Sequence, residues 1–434
     1  MDELDRLYAQ LEQELSGYIS VKTIYGKKRP YLQKKIRGHL ISAYIKPADL
    51  PSVKIAIKTR KETERKIKKL ERSLCQPLPQ LGKSALSFTG SLMMGDLEVA
   101  RFEDDHLIFL NEALAPAQIK RTHELEGWLA SRAIDQDRPH SRLLKKALRI
   151  EETDEAYLAL KAHGATLSDN YWFKPKHSRL HYSDVAFKAD FFSGVALHGE
   201  ITPFGRKPSL SPELTAIGSY EKCWKLQDGE WWMYKKENDL ERFSECFISE
   251  LGKALGFPMA EYVISGSDIK TKNFAKTVNF EPMSGFLGSD DSLASVFKVC
   301  LSLGQSFAKD YLKILYLDAL VCNGDRHNEN CGFLRDKRTG QYLSLAPNFD
   351  NNNALVSRGY LPATSKASAA IVKLFQDFLK ATPEAQKLYQ EIAWPSFSTG
   401  LLDHCFERVP IPIQKEKVKT MLQNTEYLLK GLCQ

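Results

Sequence analysis

Between Val321 and Ala354 the chain reads VCNGDRHNENCGFLRDKRTGQYLSLAPNFDNNNA. Three side chains in this stretch have chemistry that belongs together: Asp325, the amide of Asn330 five residues on, and a second acid, Asp350. Phosphoryl transfer asks for that set. One carboxylate accepts the proton of an attacking hydroxyl, while an amide and a further carboxylate hold the Mg²⁺ that bridges the nucleotide phosphates. The D-x-x-x-x-N spacing alone equally suits a polar turn between a helix and a hairpin, with Asp and Asn serving turn geometry. The surroundings have to decide.

The elements around the three residues are those that positioning them requires. Cys331–Leu334 and Tyr342–Leu345 read as short strands about the turn Arg338-Thr339-Gly340, and Pro347 then turns the chain to bring Asp350 beside the first loop. A helix predicted over Leu303–Cys322, with Phe307, Tyr311, Ile314, Leu315 and Val321 inward, delivers that loop. Upstream, Leu214–Lys225 reads as strand, turn, strand, with Gly218 allowing close approach of backbone N–H groups to phosphates. Glu230–Lys236 reads as a strand ending in two lysines. Alternation puts Trp231, Met233 and Lys235 on one face and Trp232, Tyr234 and Lys236 on the other, so either lysine is a candidate buried cation. The helix Leu240–Leu255, stopped by Gly256, offers Glu245 and Glu250 as its acidic partner. Ala260–Ile264 and Phe274–Phe280 are expected to complete the same sheet, with an adenine-binding segment near Thr277–Glu281.

With these parts in order, the chain resembles the HipA-like serine/threonine kinases over about residues 85–434. Their catalytic loop reads N-x-D-x-H-x-x-N, matched by Asn323, Asp325, His327 and Asn330, and their metal acid lies in an F/Y-D segment, matched by Phe349-Asp350. Their phosphate loop runs S-x-x-G-A/S-x-x-K. Here Thr215, Gly218, Ser219 and Lys222 stand in those places, with Thr replacing the leading Ser. Asp169–Pro175 and Ser183–Phe187 match segments that lead into the kinase in a HipA-like subgroup. The resemblance selects Lys235, which follows the apolar part of its strand, and Glu245, eleven residues before Gly256.

The resemblance implies an α+β, two-lobed protein-kinase-like fold: an N-terminal subdomain at 85–180, an N-lobe at 185–282 and a C-lobe at 283–434. It implies ATP and Mg²⁺ as cofactors. Asp325 and Lys235 would be catalytic; Gly218, Ser219, Lys222, Lys235, Glu245, His327, Asn330 and Asp350 would bind nucleotide; Asn330 and Asp350 would hold metal. It further implies autophosphorylation at Thr215 first and Ser219 second, a protein substrate, and restraint by a small DNA-binding antitoxin. Two other functions share these residues: a small-molecule phosphotransferase, and a nucleic-acid-binding regulator with a degenerate kinase domain.

The first 76 residues lie outside the resemblance and form a separate basic module, expected as a helix–hairpin–helix-type extension. Residues 3–15 repeat leucine at helical spacing; Ile19–Ile24 and Tyr31–Ile45 read as strands, and a helix runs from about Ala48 through Leu74. Between residues 19 and 74 stand 17 Lys/Arg against 4 Asp/Glu, a local charge of +13 in a chain of +7, which leaves about −6 elsewhere. Tyr18, Tyr25, Tyr31 and Tyr44 interleave with these cations. That asymmetry points to nucleic acid as a partner. Hydrophobic content of 43% is ample for ordinary cores, while no apolar run nears the ~18 residues of a membrane span. Eight scattered cysteines without a C-x-x-C fit a reducing cytoplasm better than a disulfide or metal framework.

Overall fold

The structure is a computed structural model that describes residues 3–24, 26–36, 39–79, 88–103, 106–200, 208–360 and 366–431. The chain divides into two compact units, Met1–Gln76 with Leu226–Gly229, and Pro77–Lys225 with Glu230–Gln434. It is a mixed α and β protein built on several small antiparallel sheets. No helix among the described residues is long and apolar enough to cross a membrane.

The first unit runs α1 (Glu3–Gln13), β1 (Tyr18–Ile24), β2 (Lys27–Ile36), β3 (His39–Tyr44) and α2 (Leu50–Leu74). The strand expected over Tyr31–Ile45 is in fact two, and the expected hairpin is a three-stranded antiparallel sheet in the order β1-β2-β3. Residues 27–30, between the two expected strands, belong to β2. Helices α1 and α2 pack on each other through Leu4, Ile57 and Ile67. Arg60 also donates to the carbonyls of Leu11 (2.6 Å) and Glu14 (3.1 Å) that end α1, answering acceptors a helix terminus leaves open.

The second unit begins with a four-stranded sheet, β4 (Gly90–Met94), β5 (Leu97–Glu103), β6 (His106–Phe109) and β7 (Tyr171–Pro175), in the order β6-β5-β4-β7. Between β6 and β7 run four short helices: α3 (Ala117–Thr122), α4 (Leu125–Ala130), α5 (Ser141–Leu148) and α6 (Glu155–Leu160). His123, left-handed at φ 59°, ends α3 and separates it from α4. Trp128, Leu129, Trp172 and Phe173 are buried with both strands and helices in one core. Two short helices, α7 (Tyr182–Val185) and α8 (Ser193–His198), follow.

The next sheet has the order β10-β11-β9-β8, from β8 (Lys222–Gln227), β9 (Glu230–Lys235), β10 (Tyr262–Ser265) and β11 (Asp268–Lys272), with α9 (Asp239–Ala254) between β9 and β10. Asn238 starts α9 as a capping box with Glu241, and Gly256 at φ +78° follows its end. The strand expected to open the Leu214–Lys225 hairpin is absent: Pro212–Thr215 is a 3₁₀ turn, with Ser211 accepting from the N–H of Glu213. The segment Phe274–Phe280 does not join this sheet either. Its strand, β12 (Val278–Pro282), pairs with β13 (Gly332–Asp336), which pairs with β14 (Tyr342–Leu345). The sheet is completed instead by β10, within the expected Ala260–Ile264, and by β11, which lies between β9 and β10. Helices α10 (Met283–Leu287), α11 (Leu293–Leu303), α12 (Gln305–Val321), α13 (Lys366–Ala381), α14 (Pro383–Gln390), α15 (Thr399–Arg408) and α16 (Lys415–Lys430) complete the unit. Their core shares Leu312, Leu315, Phe375, Tyr389, Phe406 and Leu422 with α9.

Candidate active site

Helix α12 ends at Val321, and Cys322 at φ 56° swings the chain out of it. The loop that follows is held by Arg326. Its Nε and one terminal nitrogen take both oxygens of Asp318 on α12, at 2.9 and 2.8 Å. That nitrogen also meets the side-chain oxygens of Asn348 and Asn351, each at 2.9 Å. The other nitrogen donates to the carbonyls of Asn330 (2.8 Å) and Phe349 (3.0 Å). One guanidinium therefore joins α12, the loop from Asn323 to Asn330 and the segment bearing Asp350. Burial works against its charge, but Asp318 outweighs burial and holds the guanidinium pKa above its ordinary value. Asn328 pins the outer end of the loop by donating to the carbonyls of Gly288 (3.1 Å) and Asp290 (2.9 Å).

Within this frame Asp325 is half-buried. Its N–H donates to Asn323 Oδ1 (3.0 Å), and its Oδ2 accepts from Asn353 Nδ2 (2.8 Å). Lys235, at the end of β9, is buried, with Nζ 2.5 Å from Asp350 Oδ1 and 4.0 Å from Glu245 Oε2. Asp350 itself sits at φ 62°, a conformation rare outside glycine, and its N–H donates to the Tyr262 hydroxyl at 3.1 Å. Burial would raise the Asp350 pKa, but Lys235 and then Lys222 bring it down to about 2. Burial would likewise strip Lys235 of its proton; Asp350 and Glu245 reverse that and hold it well above the ordinary range. The alternatives left open by strand alternation and helix spacing are separated by distance. Lys236 faces Glu221 at 3.2 Å, and Glu250 pairs with Lys253 and Arg408 on the far side of α9.

The 3₁₀ turn places Thr215 with its hydroxyl donating to Ala165 O at 2.7 Å, only 5% exposed. Ser219, four residues on, is exposed. Of the two hydroxyls expected to take phosphate, Ser219 is therefore the accessible one and Thr215 the covered one. Gly218, at φ 107°, lies so close to the Lys222 ammonium that a Cβ there would collide with it. Lys222 is half-buried, and burial, with Asp350 opposing and Lys235 and Arg138 reinforcing it, lowers its pKa to about 8.

Thr215, Gly218, Ser219, Lys222, Lys235, Asp325, His327, Asn330 and Asp350 all line one cavity of about 470 Å³, within the size range of small-molecule sites. Phe274, Phe280 and Phe349 cluster in its wall, with ring centroids 5.6 to 5.7 Å apart. Of the segment expected to meet adenine, Thr277–Glu281, Phe280 and Glu281 line the cavity, and several of its polar groups already have partners. The Phe280 N–H donates to Ser168 O (2.8 Å), and Asn279 Oδ1 accepts from the Asn170 N–H (2.9 Å). Glu281 is buried against Arg335, Tyr171 and Tyr342. His327 is exposed, its Nδ1 accepting from the Glu329 N–H at 3.2 Å.

Sequence reasoning missed Glu237. It is buried beside the same lysine, its Oε1 accepting from Asn352 at 3.0 Å. Burial pushes its carboxyl up to about 8, against the pull of Lys235 and with the help of Glu245 and Asp350. Following two lysines after a strand, it carries the pattern of a surface residue. Arg326 and Asp318 were missed as well, although an acid inside an otherwise apolar helix, Tyr311–Val321, was a legible sign of a buried partner.

Among the described residues no group of three or more His, Cys, Asp or Glu side chains is arranged to hold a metal on its own. No known protein-family profile and no curated protein sequence matches the chain. Among solved structures it is similar to the Helicobacter pylori proinflammatory kinase CtkA, at 19% identity over 49% of this chain and 92% of that one, with a TM-score of 0.41. It is similar also to HipA of the Shewanella oneidensis MR-1 toxin–antitoxin system, solved with HipB and operator DNA, at 12% identity over 79% and 99% of the two chains, with a TM-score of 0.44.

Proposed function

We propose that the protein is an ATP- and Mg²⁺-dependent kinase of the HipA-like kind that transfers the γ-phosphoryl group to a serine or threonine hydroxyl of another protein. The observation that carries this reading is the convergence of Lys235, Asp350, Asp325 and Asn330 on one cavity, with Lys235 and Asp350 already in contact. Asp325, steered by Asn353, is the carboxylate that would orient an acceptor hydroxyl and take up its proton. Lys235 and Lys222 present the two cations that nucleotide phosphates would meet, and Gly218 leaves room for backbone to approach them. Asn330 and Asp350 are hard oxygen donors in the cavity wall, too few to cage a metal alone, which suits Mg²⁺ shared with phosphates and water. When bound there, the metal would neutralise charge on the transferring group. A phosphate on Ser219, set on the loop that lines the cavity, would turn the enzyme off. In this reading the kinase works in the cytoplasm, with a small DNA-binding protein restraining it.

Radiolabelled phosphate transfer from ATP, with a lysate protein pool as acceptor, tests the proposal. Asp325→Ala and Asp350→Ala should each lower the rate on the order of 10²-fold or more, and Asp350→Ala should also weaken nucleotide binding. Near-normal transfer by both variants rejects the assignment. Transfer only to small molecules would move the substrate class and leave the chemistry standing.

A further inference from the structure

The three-stranded sheet of the first unit sorts its side chains by face. Register opposes Tyr18 to Gln33, Ser20 to Tyr31 and Lys22 to Arg29 across β1 and β2, and Tyr31 to Tyr44 across β2 and β3. Directly opposed residues share a face, and alternate residues along a strand do so too. Tyr18, Tyr31 and Tyr44 therefore lie on one face together with Lys22, Lys27 and Arg29. The other face carries Val21, Leu32, Ile41 and Ala43 together with Lys28 and Lys34. Tyr25, the fourth tyrosine of the module, lies outside the described residues. This separation was invisible while 31–45 read as one strand, because a single strand gives Tyr31 and Tyr44 opposite parity.

Tyr18 and Tyr44 are each about half exposed, while Lys22 lies 4.9 Å from the centroid of the Tyr31 ring and also reaches Ser42 Oγ at 3.3 Å. The sheet thus holds a cation over Tyr31, whose ring also meets that of Tyr44 edge-on at 5.6 Å between centroids, and leaves Tyr18 and Tyr44 half exposed. We infer that this face binds single-stranded nucleic acid, with bases stacking on Tyr18 and Tyr44 and the phosphate backbone meeting Lys22, Lys27 and Arg29. The complementarity is both of charge and of shape. The +13 balance of residues 19–74 calls for a polyanion, and exposed rings interleaved with cations suit one whose units have flat faces. The two residues stand on the outer strands, two strand spacings across and two residues along from each other, on the order of 12 Å apart. That exceeds the ~3.4 Å interval of stacked bases in a duplex, so bases on both rings must be splayed, as only an unpaired strand permits.

The full chain, titrated into a fluorescein-labelled oligodeoxythymidine of about 20 nucleotides at about 50 mM salt, should raise its anisotropy, and binding should weaken as salt rises. With three phosphates engaged, the slope of log K against log salt would be about −2. The double variant Tyr18→Ala/Tyr44→Ala should lose about tenfold in affinity or more, whereas Tyr18→Phe/Tyr44→Phe keeps the rings and should bind as the parent does. Lys22→Gln/Arg29→Gln should flatten the salt slope. Equal or tighter binding to a duplex of the same length, unchanged affinity after loss of both rings, weakening in the phenylalanine variant, or no binding at that salt would each overturn the inference. Preference for anionic lipid vesicles over the oligonucleotide would overturn it too.

Discussion

Two loops border the cavity, and they are built in opposite ways. The loop from Asn323 to Asn330 is anchored by six hydrogen bonds from Arg326 alone, and further by Asn323 and Asn328. The loop from Ala216 to Glu221 is tied mainly at its ends, where Arg138 donates to Ala216 O (2.8 Å) and the Lys236 N–H donates to Glu221 O (3.0 Å). Between those ties Ile217, Ser219 and Tyr220 are exposed. Under the proposed function the contrast is a division of labour. Groups that act on the reacting atoms need geometry fixed in advance, because misplacement is paid for in rate. A loop that covers a ligand has to open and close, and low local stability serves it.

The strongest way to break the contrast is to remove the clamp. Arg326→Ala would leave Asp318, with a side chain 5% exposed, without its cation. Removing one partner of a buried pair costs about 3–5 kcal/mol, which urea denaturation should show along with loss of phosphoryl transfer. Arg326→Lys should recover little, since an ammonium cannot supply the forked contacts. A loss below about 1 kcal/mol would mean that the catalytic loop is held by something else.

A second test sharpens the other side. If the 216–221 loop is the mobile one, its exposed hydroxyl should be where phosphate accumulates. Incubation with ATP and mass spectrometry of residues 209–225 should find Ser219 modified and Thr215 unmodified, and Ser219→Ala should abolish the signal. A phosphate adds about −1.5 to −2 charges on a loop that lines the cavity and should lower ATP affinity on the order of tenfold. Modification of Thr215 in preference to Ser219 would show that the 3₁₀ turn opens as readily as the loop.

The smallest expected effect concerns the buried acid near Lys235. Glu237 has its pKa raised to about 8 in the folded protein against 4.5 as its ordinary value. The folded state therefore holds a proton that the unfolded chain releases, and stability falls as pH rises from about 5 through 8. Glu237→Gln keeps an oxygen for Asn352 and removes the ionisation. It should leave stability at pH ~5 nearly unchanged and raise it by about 1–2 kcal/mol at pH ~8. Parallel pH curves for variant and parent would show that Glu237 holds no such proton.

Much of the site was legible because its residue types are scarce and its spacing short. Asp325, Asn330 and Asp350 could be named from one stretch, since the hairpin that returns Asp350 to the loop is local. The strands around it, and the helices α9 and α12, followed from periodicity and from Gly256. What failed were pairings between distant segments. Phe274–Phe280 carried strand character, yet nothing in it says that β13 is its partner while β11 fills the other sheet.

The sequence by itself determined the chemical inventory, the order of its parts and the basic character of the first 76 residues, because composition and short-range spacing need no fold. Tertiary structure decided which of two adjacent lysines is buried and which of two glutamates on α9 faces it. Alternation sets relative parity within an element; only packing says which face is the inside. It also decided that Thr215 is covered, that Glu237 joins the cluster around Lys235, and that three tyrosines far apart in the first unit share one face. Each of those depends on a register or a contact between segments that no local pattern encodes.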